Sequence, residues 1–173
     1  MSSIAQEQHV LIEALGKPAT WESAYAELNS AGQSALPAIY LGLKNPAWRV
    51  RRWCAALLDH HADAQDARGI AALVEALQDS SPTVRRHAVH ALGCQRCKQL
   101  PLELDLIALL IERAQNDSNL RVRQVATHML GNQATDKRAV QALQIIIKNE
   151  QDEKLLGNAR WALEQLTRHG WPR

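Results

Sequence analysis

Four stretches of the chain carry the same spacing of apolar and polar positions. From Val84, the apolar or small residues fall at Val84, Ala88, Ala91 and Leu92, which share one narrow stripe of a helix. The stretch from Val122 repeats this at Ala126 and Leu130, and Gly131 follows Leu130 as Gly93 follows Leu92. A fainter copy starts at Val50 with Cys54 and Leu58, and a fourth at Leu155 with Ala159, Ala162 and Leu163. The four anchors stand 34, 38 and 33 residues apart, within the range of stacked structural units. A second apolar stripe precedes three of them: Ile70, Leu73, Val74 and Leu77; Ile107, Leu110, Ile111 and Ala114; Val140, Leu143, Ile146 and Ile147. Each unit therefore predicts a helical hairpin, and the chain an all-α solenoid of about five such hairpins.

The joint inside each hairpin has its own residues. Asp79-Ser80-Ser81-Pro82 predicts the end of one helix and the start of the next, with Ser81 as N-cap and Pro82 in the first turn. Asn45-Pro46 and Asp117-Ser118-Asn119 stand at the same joint in neighbouring units. An acid or amide precedes, by six residues, the arginine that follows each anchor: Asp79 before Arg85, Asp117 before Arg123, Asn45 before Arg51. The last unit departs, with Glu150 six before Leu156. Ahead of the repeats, residues 1–16 predict a capping helix from about Ser3 to Leu15, and Trp21 to Asn29 the first helix of the first hairpin. Residues 18–168 are the repeats of this single domain, and 169–173 a tail.

The segment from Gly32 to Ile39, the joint, the Val-Arg pair, the small residues and the closing leucine together resemble HEAT repeats of the short bacterial kind, also found in phycobilisome lyases. In that family, the joint Asp and the Arg six residues on form a hydrogen-bonded ladder between units. The resemblance implies this role for Asp79, Asp117, Arg51, Arg85 and Arg123, with Asn45 weakening one end of the ladder and Leu156 ending the other. It also implies a concave face that engages partners. On the helices before the anchors, the residues opposite the apolar stripe are Arg68, Ala72 and Glu75, then Asp105, Leu109 and Glu112, then Gln141, Ile145 and Lys148. This surface mixes charges with a few apolar side chains, which suits a protein partner. A duplex laid on it would meet Glu75, Asp105 and Glu112. The alkylpurine DNA glycosylases share only the architecture, and none of their site residues transfers.

Composition narrows the classes further. The 173 residues are 46% hydrophobic, 4% aromatic and without Phe, which favours closely packed helices over strands. A formal charge of +2 lacks the basic excess of a dedicated nucleic-acid binder. No stretch holds the roughly 18 apolar residues of a membrane span, and Met1 to Gly16 has no basic segment before an apolar core, so the expected place is the cytosol. Three cysteines, Cys54, Cys94 and Cys97, are expected to be reduced thiols.

Two clusters carry chemistry of their own. Arg49, Arg52, Arg86 and Arg121 recur at related places and form a ridge that could hold phosphates, with Trp48 and Trp53 nearby. His87, His90, Cys94 and Cys97, spaced by 3, 4 and 3, hold the donor types of a tetrahedral zinc site. A straight helix spreads them over about 15 Å, too far for one ion, so the sequence assigns no metal. His60-His61 with Asp63 and Asp66 is expected to be polar filler of an inter-helix loop. No nucleophile elbow, phosphate-cradling glycine loop or zinc-protease motif occurs. The reading is a non-enzymatic scaffold without cofactor that binds a protein partner. The alternatives are nucleic-acid binding through the arginine ridge, or a lyase- or chaperone-like accessory role.

Overall fold

The computed structural model describes residues 3–61, 66–94, 102 and 104–168. Among them stand ten α-helices and no strand: α1 (Ser3–Ala14), α2 (Trp21–Ala31), α3 (Leu36–Gly42), α4 (Trp48–His61), α5 (Ala67–Ala76), α6 (Pro82–Gly93), α7 (Leu106–Asn116), α8 (Leu120–Gly131), α9 (Lys137–Asn149) and α10 (Glu153–Arg168). A 3-10 turn, Gly32–Ala35, leads into α3. Consecutive helices pack as five hairpins, α1/α2 through α9/α10. The tail, residues 169–173, lies outside the described residues.

The apolar stripes become the core. Val50, Val84 and Val122 are fully buried and Leu155 nearly so, as are Cys54, Ala88, Ala126 and Ala159 one turn on. Because the side chain one turn after each anchor is small, the second helices approach closely. Glycine goes further. A Cβ on Gly93 would stand 2.6 Å from Cβ of Met129, and one on Gly131 2.7 Å from Cα of Ala162, so the backbones of α6 and α10 meet α8 where any side chain would push them apart. The second helices α4, α6, α8 and α10 thus pack along one another, while the first helices α3, α5, α7 and α9 touch each other far less. The tighter layer takes the shorter arc, so the second helices form the inner side of the bend.

At the start of the chain, α1 packs on α2 and α3, and α2 on α4. Ile12 and Leu15 are buried there, and the Gln8 amide donates to the Ser34 carbonyl at 3.1 Å. The first helix thus ends the stack and is also the first member of the first hairpin. Trp21–Ala31 is that hairpin's second member, not its first.

The ladder is present. Arg51 donates twice to the Asp79 carboxylate (2.6 and 2.8 Å) and Arg85 twice to Asp117 (2.8 and 2.7 Å). Each guanidinium also donates to carbonyls of its own joint: Arg51 to Asn45 (2.9 Å), Arg85 to Asp79 (2.9 Å) and Arg123 to Asp117 (3.2 Å). Planar, five-donor arginine can span two units in this way, where lysine has a single point of charge. Glu150 extends the ladder, accepting from Arg123 at 3.3 Å, while Asn45 turns to Glu13 of α1 at 2.7 Å. Burial pushes the Asp117 carboxyl up, but the bonds from Arg85 and the Asn119 N–H outweigh it and hold it below its ordinary range. Ser81 stands at the N-cap position of α6 but its hydroxyl makes no capping bond, while the Asp79 carboxylate accepts the Ser81 N–H at 2.7 Å. His60 and His61 belong to the last turn of α4 and are not loop residues, and Asp66 caps α5 through the Gly69 N–H at 2.9 Å. Asp63 lies outside the described residues.

Candidate binding surface on the second helices

Residues three and six positions after each anchor lie beside the buried stripe of the inner layer, and several of them are aromatic or imidazole. Trp53 and His87 hold the first place in their units; His90, His128 and Trp161 hold the second. Trp21 of α2 stacks on Trp53 with ring centroids 4.2 Å apart and planes 7° from parallel. Tyr25 meets the same ring edge-on at 5.5 Å, and His87 approaches it from α6 at 6.3 Å. Further along, His128 stacks on Trp161 at 4.3 Å. These contacts run between units, so the platform exists only once the hairpins are stacked.

The arginines sit on this platform. The Arg52 guanidinium lies 4.0 Å over the Trp53 ring and also faces Trp48, which Arg49 covers at 4.9 Å. Burial, and then the charges of Arg49 and Arg86, hold the Arg52 guanidinium below its ordinary range. Among the described residues, Arg49, Arg52 and Arg86 make no ion pair, and the buried Nε of Arg52 has no hydrogen-bond partner. The ladder arginines one position earlier are fully satisfied by comparison. Arg121, the fourth member of the expected ridge, is exposed at the start of α8, at the register of Arg49 two hairpins on. His87 is neutral, since burial first, then Arg86 and Arg52, push it down to about 4.

The residues expected on the concave face occupy the other layer. Arg68, Glu75, Asp105, Glu112, Gln141 and Lys148 are all exposed on, or at the start of, the first helices α5, α7 and α9, which form the outer side of the bend. Several are engaged locally. Asp105 caps α7 and takes two bonds from Arg138 of α9 (2.6 and 3.0 Å), Glu112 accepts from Arg113 and Asn116, and Arg68 lies over Tyr40 at 5.3 Å. The Trp21–Trp53 stack went unread because it depends on which helix α2 neighbours. Its signal was the recurrence of Trp and His at fixed offsets outside the apolar stripe.

The expected His/Cys row is broken up. The helix α6 ends at Gly93, His87 turns to Trp53, and Cys97 lies outside the described residues. Asp59 of α4 joins instead, with a carboxylate oxygen 3.0 Å from Nδ1 of His90. No helix among the described residues is long and apolar enough to cross a membrane.

Similarity to known proteins agrees with this geometry. The complex of CpcE and CpcF of phycocyanin lyase from Nostoc sp. is similar in fold at a TM-score of 0.71 and 20% identity, over 88% of this chain and 95% of the other. A designed armadillo repeat protein in complex with the peptide (KR)4 is similar at 0.58 and 17% identity, over 96% and 87%. At such identities these likenesses speak to fold alone. No curated protein matches the chain in sequence. The pattern of the HEAT repeats, however, matches residues 36–103 and 70–164, the same stretch that the ladder and the paired helices build. The chain belongs to the HEAT-repeat family.

Proposed function

We propose that the protein is a binding scaffold without catalysis of its own, holding an acidic segment of a partner polypeptide on the second-helix surface. The observation that carries this reading is the group of Arg49 and Arg52 over Trp48 and Trp53, with the charge of Arg86 close to Arg52 and, among the described residues, no ion-pair partner for any of the three. A partner carboxylate there relieves cation repulsion, and the exposed edge of Trp48 offers apolar contact beside it. Charged rims with aromatic centres suit protein recognition.

A nucleic acid would use the same arginines as phosphate contacts. Against it, the places equivalent to Arg52 and Arg86 farther along the layer are Gln124 and Gly157, and only the outermost place, held by Arg49, is cationic again, at Arg121 and Lys154. Neutralising three phosphates gives a salt slope of only about −2 to −3. A role beside a lyase remains compatible with the fold, since the similar CpcE and CpcF belong to such a complex. Binding through Glu75 and Glu112 on the outer layer is the competing surface.

The experiment retains ligands from extract on the tagged chain, with and without nuclease, and repeats this with Arg52→Glu/Arg86→Glu and Glu75→Lys/Glu112→Lys. The proposal expects a nuclease-resistant polypeptide that the arginine pair loses and the glutamate pair keeps. Loss with the glutamate pair, or a ligand destroyed by nuclease, overturns it.

A further inference from the structure

We infer that Asp59, His90 and Cys94 form a divalent transition-metal site, of the kind that suits zinc, clipped between the second and third hairpins. One donor atom from each lies within 4.8 Å of the others, and the group joins α4 to α6. A tetrahedral ion with bonds of about 2.0–2.3 Å needs donors about 3.3–3.8 Å apart, so small side-chain rotations close the shell. His90 is 48% exposed in its side chain and Cys94 stands just past the end of α6, so both can make that movement.

Helix geometry explains why the two α6 donors meet. Residues four apart lie on one face, and the Cys94 N–H still donates to the His90 carbonyl at 2.9 Å, holding the thiol beside the ring. The position of Asp59 is the second observation. It stands nine residues after its anchor, where the corresponding residues of α6 and α8 are Gly93 and Gly131, both required for close packing. Asp59 puts a carboxylate into that seam, only 6% exposed. Where the seams at α6 and α8 take glycine, the seam at α4 instead holds a buried acid within reach of His90. Imidazole, thiolate and carboxylate together make a borderline donor set that favours zinc-like ions over magnesium or calcium.

On binding, the ion takes the place of the proton between Asp59 and His90, and the Cys94 thiol releases its proton to water. Three protein donors leave one position for water or for a side chain of a bound partner. The site is independent of the arginine group, and its failure would leave that reading intact.

The test titrates cobalt(II) into reduced, chelator-treated protein. Expected are one bound ion per chain, tetrahedral visible bands, a near-ultraviolet thiolate-to-cobalt band, and a thermal midpoint that rises with zinc concentration. Cys94→Ser should remove the thiolate band. His90→Gln, at a half-exposed position that leaves the fold intact, should weaken binding by at least about tenfold, and Asp59→Asn similarly, with circular dichroism checking its fold. His87→Gln should bind as the unaltered protein does. No binding, a thiolate band that survives Cys94→Ser, or full affinity in His90→Gln overturns the proposal.

Discussion

The two layers of this solenoid are built from the same number of helices and do different work. Second helices meet through glycine, alanine and buried leucine, so their separation is fixed by backbone contact, and their free side carries Trp, His and unpaired Arg. First helices stand farther apart, and a surface ion pair such as Asp105 with Arg138 bridges two of them. A rigid spacing lets side chains from different units form one platform. A loosely spaced layer presents each helix separately. Binding geometry that needs several units to cooperate therefore belongs on the inner layer.

Substitutions can break or sharpen that contrast. The largest effect is expected in the seam of the second helices, where Leu92→Ala and Leu130→Ala should each cost about 2–5 kcal/mol through lost burial and an unfilled cavity. The half-buried Ile107 of α7 should cost less when changed to Ala, about 1 kcal/mol. Urea denaturation that ranked Ile107→Ala above Leu130→Ala would dissolve the distinction between layers. Next is Gly131→Ala, expected to cost about 1–3 kcal/mol by overpacking against Ala162, whose Cα lies 2.7 Å from the added Cβ. A neutral result would mean that α8 and α10 can separate without penalty.

Acid should also act on the layers in sequence. His87 in the folded chain is pushed down to about 4 from 6.5, so the unfolded chain takes the proton first and stability declines between those pH values. His87→Gln should flatten this part of the profile. The ladder responds lower. Asp79 and Asp117 have folded values below 3.8, so their contribution is complete above that pH and is lost as pH falls through the folded values. Denaturation midpoints from pH 8 to 3 for both proteins check this, and equal slopes from pH 6.5 to 4 would refute the placement of His87. The smallest effect belongs to Arg52→Ala, expected within about 0.5 kcal/mol of the unaltered protein, because its charge serves a ligand more than the fold. A clear loss in the same denaturation assay would make Arg52 a structural residue.

Much of this was legible in the chain. The apolar spacing from Val84 and Val122 gave helices with the expected buried faces, since a stripe of this width must be covered wherever it occurs. The resemblance implied the Asp–Arg ladder, and the structure shows it with one change: Glu150 is long enough to substitute for the joint aspartate. The face was harder to read. Helical angle alone separates the covered side of α5 or α7 from its open side, but does not say whether that helix lies inside or outside the bend.

The sequence by itself determined the repeat, its helical pairs and the residues that seal them, because these depend on spacing within a few turns of one chain segment. Tertiary structure alone decided which layer is inner, that Trp21 lies on Trp53, and that Asp59 reaches His90. Those outcomes depend on how closely one unit settles on the next. That distance is set by side-chain volumes across the seam, tens of residues apart in sequence.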